Sequence, residues 1–383
     1  MSSTPINVLI VDDSALMRNL IGRIVENEPG LAVVAKAMNG MFALKKLETS
    51  EVDVIILDLE MPEMNGIEFL KKRKELKIEV PVIILSSIAR RGAEVTMEAL
   101  ALGAADFIKK PSGSVSEDIH VVGEHLVGLI KAYGGRRKAH GAPALSPTRS
   151  ELPPTHPTSA STLAPPAPPV SPFPPARPVT LPSGVLRPHA GLQLCVIGIS
   201  TGGPNALRQV FAALDADFPL PILVVQHMPA GFTAEFARSL DKSSPLEVKE
   251  AEEGDLVKKG RILIAPGDWH IEVERRSLAA IIHVNQNDQC NGHRPSAGVL
   301  FKSAAKHYGS GVLAVIMTGM GRDGSAEIGE IYKAGGLTLS QDEATSVVFG
   351  MPKVAIEMGH VEKVVPLNEM AATLNKLAKE FSR

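Results

Sequence analysis

The chain has 383 residues, more than a single compact domain needs and enough for two. Its 40 Lys and Arg nearly balance 42 Asp and Glu, which speaks against bulk nucleic-acid binding and against a basic membrane-surface footprint. Only Cys195 and Cys290 are present, no apolar run approaches the roughly 18 to 20 residues of a membrane span, and the N-terminal residues do not read as a signal peptide. No disulfide framework and no membrane insertion are expected, and the location implied is cytoplasmic.

Residues 6–11 form a short apolar run rich in β-branched side chains, read as a buried strand ending in Asp12 and Asp13. Helical spacing follows Ser14 over 15–25. Further strands are predicted at 31–37, 52–57, 80–85 and 105–109, with helices at 40–48, 67–76 and 94–102 and helical spacing up to Tyr133. Alternating strands and helices imply a parallel sheet covered on both faces. The polar residues Asp12, Asp13, Asp58, Ser86 and Lys110 all follow apolar runs, and the carboxyl ends of parallel strands form the ligand crevice of such a sheet. Clustered carboxylates suit a hard divalent cation such as Mg²⁺, and a lysine and a hydroxyl at the same edge can hold a phosphoryl group on Asp58. Any one of these residues alone reads as a solvated loop residue; five at strand-end positions do not.

This half resembles the receiver domain of bacterial response regulators over residues 5–130. The resemblance rests on V-D-D-S, I-L-D-L-E-M-P followed by N-G, L-S-S and D-F-I-K-K-P. It implies a flavodoxin-like fold and Asp58 as the phosphoacceptor. Asp13, Asp58 and the Glu60 backbone carbonyl would bind Mg²⁺ directly and Asp12 through water; Ser86 and Lys110 would contact the phosphoryl group, and Phe107 would stand at the switch-aromatic position.

From 134 to 190 prolines crowd in among small residues and both hydrophobic periods vanish, so a Pro-rich flexible linker is expected there. A proline-rich docking motif is the rarer alternative.

The remainder, 191–383, restarts with L-C-V-I-G-I-S-T-G-G-P, an apolar run that breaks into a glycine-rich turn and then a helix opened by Pro204. Strands are expected at 246–250 and 261–265, after an apolar strand that ends at His227. A hairpin spans 269–284, a polar loop 285–295, and a further strand 311–317 runs into T-G-M-G-R-D-G. Helices are expected at 204–214, 233–240, 296–308, 325–334, 344–358 and 367–381, with a strand at 336–340.

Ser200 matches G-x-S-x-G, although a plain turn or a phosphate cradle would also fit. A nucleophilic serine needs a base and an orienting carboxylate. Of the 11 histidines, His227 directly follows the strand one helix after Ser200, and sequential parallel strands are usually neighbours. Asp323 follows a third strand in a loop that offers N–H groups to an oxyanion. His293 is the best rival base or a substrate contact; Asp268 and Asp288 are weaker rival carboxylates. The order Ser, His, Asp differs from that of α/β-hydrolases, so shared geometry would not mean a shared fold.

This second half resembles the catalytic domain of the chemotaxis protein-glutamate methylesterases, through G-I-S-T-G-G-P, V-V-Q-H-M-P, G-H-R-P-S and T-G-M-G-R-D-G. The resemblance implies a second, larger doubly wound α/β domain with Ser200 as nucleophile, His227 as base and Asp323 as its partner. It also places an oxyanion donor at the Met320 N–H and a residue that helps hold His227 at Thr201. The activity implied is hydrolysis of glutamate methyl esters on methyl-accepting chemoreceptors without a cofactor, with deamidation of receptor glutamines. Mg²⁺ would serve the receiver, and a chemotaxis histidine kinase would supply the phosphoryl group. The alternative is a regulator whose second half only binds a nucleotide or partner, but the G-K-[ST] of a phosphate-binding loop is missing.

Overall fold

A computed structural model describes residues 4–87, 90–110, 118–139, 186–187, 189 and 191–382. The N-terminal unit comprises β1 (Ile6–Val11), α1 (Ala15–Glu26), β2 (Leu31–Ala37), α2 (Gly40–Thr49), β3 (Val54–Asp58), α3 (Gly66–Glu75), β4 (Val82–Ser86), α4 (Arg90–Ala101), β5 (Asp106–Lys109) and α5 (Asp118–Ala139). Its sheet is parallel, in the order β2-β1-β3-β4-β5. β3 and β4 are buried at every position, as continuous apolar runs covered on both faces should be. Side chains start the helices: Ser14 accepts from the Met17 N–H, and Asn65 and Glu68 form a reciprocal capping box on α3.

The second unit is larger: β6 (Leu194–Ile199), α6 (Gly203–Ala212), β7 (Ile222–Gln226), α7 (Thr233–Asp241), β8 (Glu247–Glu250), β9 (Arg261–Ile264), β10 (His270–Arg275), β11 (Ala280–Asn285), α8 (Ala297–Tyr308), β12 (Val312–Ile316), α9 (Ile328–Lys333), β13 (Leu337–Gln341), α10 (Met351–Glu357), β14 (Lys363–Val365) and α11 (Leu367–Phe381). Seven strands form a parallel sheet in the order β14-β13-β12-β6-β7-β9-β8, and β10 pairs antiparallel with β11 as a separate hairpin. The order reverses at β6, whose neighbours are β7 on one side and β12 on the other. This topological switch point is where open α/β sheets hold their ligands.

Three expectations change. Helix α5 runs through Gly134 and Gly135 to Ala139, past the start expected for the linker. The glycine belongs to a close helix–strand contact, since a Cβ on Gly134 would lie 2.4 Å from Ile6 Cγ2. The remaining linker expectation, residues 140–185, lies outside the described residues. The helix expected at 344–358 is confined to α10. Ahead of it the Ser346 hydroxyl and the Thr345 N–H both bond Asp342, turning the chain locally, and Pro352 suits only the start of the helix that follows. The three-residue β14 has no sequence counterpart among the expected strands; it is too short to show a period.

Candidate active site

Strand pairing brings the ends of β12, β6 and β7 side by side. Ser200 follows β6, and Ile199 is in register with Gln226, so Ser200 lies opposite His227. The His227 N–H donates to the Ile199 carbonyl at 3.1 Å and the Ser200 N–H to the Thr318 carbonyl at 3.0 Å, tying the three strand ends together. The turn needs its glycines. Gly202 has φ +79°, and a Cβ there would come within 2.6 Å of Val347; a Cβ on Gly203 would come within 1.8 Å of Gln226 Oε1.

His227 Nε2 is 2.8 Å from Asp323 Oδ2, while its Nδ1 is buried and has no hydrogen-bond partner among the described residues. Asp323 has no solvent exposure. Its Oδ1 accepts from Ser296 Oγ at 2.6 Å and Asn291 Nδ2 at 3.1 Å, and its Oδ2 accepts from the Ala297 N–H at 2.6 Å. The carboxylate thus sits on the N-terminus of α8 and also faces the imidazole, so helix capping and histidine orientation are one arrangement. Burial pushes this carboxyl up, but the His227, Ser296 and Asn291 hydrogen bonds outweigh it and hold it down at about 2. Ser296 and Asn291 were not singled out from the sequence; the only signal was a serine placed to cap a helix.

His293 stacks on His227, with ring centroids 3.9 Å apart and planes 12° from parallel. Burial and the adjoining His227 ring push His293 down from its ordinary 6.5 to about 4. Of the rival carboxylates, Asp268 accepts from Arg294 at 2.8 Å, while Asp288 touches the second unit's core through its backbone carbonyl, 3.1 Å from His270 Nε2. Met320 is partly exposed and its N–H donates to nothing within the described residues. Thr201 is buried beside Ser200; its carbonyl accepts from Thr318, and its hydroxyl makes no hydrogen bond to His227.

These shifts set a pH dependence of stability. Between pH 6.5 and 4 the unfolded chain takes up a proton at His293 that the native state refuses, so acidification destabilises the native protein across that window. Asp323 adds a second loss as pH falls from 3.8 to 2, because its native pKa is depressed. Urea midpoints measured against pH should show both limbs, and His293→Gln should flatten the upper one; an unchanged upper limb would assign it to another group.

In the N-terminal unit, Asp12, Asp13 and Asp58 bring carboxylate oxygens within 4.8 Å of one another. Lys110 Nζ reaches Asp58 Oδ2 at 2.6 Å and Asp12 Oδ2 at 3.1 Å. Asp12 Oδ2 is buried and makes no hydrogen bond among the described residues, although the Lys110 ammonium lies 3.1 Å away, and an all-oxygen set of this charge fits a hard divalent cation. Burial raises the Asp58 carboxyl and Lys110 opposes that. The Glu60 N–H donates to Asp58 Oδ1 at 3.2 Å. Ser86 Oγ, buried in the lining of the same crevice, is hydrogen-bonded to Thr96 Oγ1 at 2.5 Å and so points toward α4 rather than Asp58.

The two units meet over the Ser200 turn. Asp106 Oδ2, on β5, accepts the Gly202 N–H at 3.0 Å. Asn205 Nδ2 donates to the carbonyls of Ala104 and Ala105 at 2.9 and 3.1 Å. Phe107 packs against Phe232, ring centroids 4.8 Å apart. Arg136 of α5 donates to the carbonyls of Ala344 and Ser346, in the loop before α10. None of these contacts was visible in the sequence, because each joins residues about 100 or more positions apart.

Two family models match: the response regulator receiver domain over residues 8–119 and CheB methylesterase over residues 195–374. A Treponema denticola protein-glutamate methylesterase/protein-glutamine glutaminase is 56% identical over 378 residues, covering 98% of this chain and 99% of that protein. Its Treponema pallidum counterpart of the same name is 50% identical, covering 100% and 99%. The crystal structure of the Thermotoga maritima CheB methylesterase catalytic domain is 41% identical, covers 49% of this chain and all of its own, and superposes with a TM-score of 0.48.

Proposed function

The chain belongs to the CheB methylesterase family, and from that premise we propose a receiver-gated hydrolase in which Ser200, His227 and Asp323 form the acyl-transfer site. The protein is a protein-glutamate methylesterase and protein-glutamine glutaminase serving adaptation in chemotaxis, with a receiver domain that makes it responsive to phosphorylation. The observation that carries the catalytic reading is the His227 ring. One nitrogen is engaged by buried Asp323 and the other is buried and unpartnered among the described residues, on the strand end next to Ser200.

In this reading Ser200 Oγ attacks the γ-ester carbonyl of a methylated receptor glutamate while His227 Nδ1 takes its proton. Asp323 holds Nε2–H and stabilises the imidazolium. The oxyanion is met by the Met320 N–H. His227 then returns the proton to the departing methoxide and methanol leaves. Water, deprotonated by His227, attacks the acyl-serine, and Ser200 departs with that proton, leaving free glutamate. With a glutamine the leaving group is ammonia instead. The substrates are methyl-accepting chemoreceptors, the phosphoryl donor is the chemotaxis histidine kinase, and the setting is the cytoplasm. Thr201 shapes the turn beside the nucleophile.

Asp58 is the phosphoacceptor in this scheme, with Lys110 and Ser86 as phosphoryl contacts. Ser86 reaches its partner by leaving Thr96. Asp12, Asp13, Asp58 and the Glu60 carbonyl would hold Mg²⁺, which when bound neutralises phosphoryl charge. The resting receiver covers the Ser200 turn, and phosphorylation weakens that docking. A phosphoryl donor should therefore raise methanol release from methylated receptor roughly tenfold, the effect of about 1.4 kcal/mol of docking free energy. Asp58→Ala should stay at the resting rate, and a chelator should remove the stimulation. Equal stimulation of Asp58→Ala would sink the gating scheme.

A further inference from the structure

The parallel ladder between β6 and β7 ends at the pair Ile199 and Gln226, one residue short of the nucleophile and of the base. The last backbone bond between these strand ends, among the described residues, runs from the His227 N–H to the Ile199 carbonyl. A side chain makes the next rung. Gln226 Nε2 donates to the Ser200 carbonyl and to the His227 carbonyl, at 3.0 Å each. The two hydrogens of one amide thus hold the backbones of Ser200 and His227 together. For the fold alone a glutamine is a poor choice here. The rest of β7 is I-L-V-V, and Gln226 is only 2% exposed. Its Oε1 is buried against Gly203 and has no hydrogen-bond partner among the described residues, an arrangement that destabilises a folded chain. The opposite orientation of the amide would set that oxygen against two carbonyl oxygens, so the acceptors fix which way it faces.

We propose that Gln226 is a positioning residue for the hydrolysis, a side-chain rung that sets Ser200 and His227 in register for proton transfer. The inference rests on Ser200 as the nucleophile and His227 as the base. Transfer of the Ser200 hydroxyl proton to His227 Nδ1 requires hydrogen-bond reach between two side chains whose carbonyls the amide ties. Without the rung each peptide plane turns separately, and a misplacement of about 1 Å lowers a rate by about a hundredfold. Gln226 is too buried to touch the substrate, so its loss falls on kcat and leaves KM unchanged.

The test uses the full chain, methylated receptor as substrate and methanol release as the readout, with and without a phosphoryl donor and magnesium. Gln226→Met keeps the length of the side chain, removes both donors and also removes the unpaired Oε1. Under conditions where a urea curve shows it fully folded, its kcat should fall about 10- to 100-fold with KM within about twofold of the parent. The ratio of stimulated to resting rate should match the parent's, because both bonds of Gln226 lie inside the catalytic unit. A purely structural brace would lower the urea midpoint and leave the kcat of folded protein within about twofold of the parent, which overturns the proposal. A loss carried by KM or by the stimulation ratio overturns it as well. If Gln226→Met does not fold, Gly203→Ala decides: its Cβ would lie 1.8 Å from Oε1, displaces the amide from the other side and should give the same loss in kcat. Failure of both variants to fold assigns Gln226 to the fold and overturns the proposal. Activity retained by Ser200→Ala would overturn the nucleophile assignment instead.

Discussion

Ser200→Ala should abolish methanol release, lowering turnover by about 10⁴- to 10⁶-fold, the range seen when a serine nucleophile is removed from a cooperating triad. The loss belongs to chemistry and not to folding. Ser200 is partly exposed, and the bonds that fix its turn are made by its backbone: the N–H to the Thr318 carbonyl, and the carbonyl accepting from the Gly203 N–H and from Gln226 Nε2. An alanine retains all three. Thermal or urea midpoints should move by no more than about 0.5 kcal/mol. The decisive measurement is single-turnover methanol release from a methylated receptor, with retention of receptor binding as the control. Residual turnover above about one per cent of the parent would assign the nucleophile elsewhere.

Asp323→Asn is the second large expectation. Turnover should fall by about 10⁴-fold, because an amide in place of the carboxylate favours the wrong imidazole tautomer and no longer stabilises the imidazolium. Stability should fall as well, in contrast to Ser200→Ala. Asp323 is wholly buried and accepts from Ser296, Asn291 and the Ala297 N–H, and an amide cannot accept at both positions. One buried donor left unpaired costs about 1–3 kcal/mol. The signature is therefore paired: a catalytic loss that persists under conditions where the protein is fully folded, and a lowered urea midpoint. The midpoint of the variant should also lose the decline that the parent shows as pH falls from 3.8 to 2, since no carboxyl remains to titrate. A variant with native stability and reduced activity would mean that Asp323 is less tightly woven into α8 than its donors imply.

Much of this arrangement was legible in the chain. The strands read clearly because parallel strands buried on both faces are unbroken apolar runs, and the residues at their ends, Asp12, Asp58, Ser86, Ser200 and His227, are polar along the carboxyl edge of each sheet. The adjacency of sequential parallel strands then set Ser200 beside His227, and a third strand end supplied Asp323. What escaped were features with no local period. The loop at 342–350 is rich in residues compatible with helix, and it is turned aside by Asp342 bonding Thr345 and Ser346. The stacking of His293 on His227 joins a polar loop to a strand end, and Asp106 meets Gly202 across two domains. These depend on three-dimensional placement that neither propensity nor spacing encodes.

The central strand β6 completes its pairing only with β12, which joins Val312 to Leu194 and Ile316 to Gly198, while every strand of the receiver lies within residues 6–109. During synthesis domains fold as units from the N-terminus. The receiver can be complete while β12 and Asp323 are still unmade, so a nascent chain holds its regulatory half before it holds a catalytic site. The catalytic half then folds beside a finished partner, against the β5 and α5 surfaces it contacts in the complete chain.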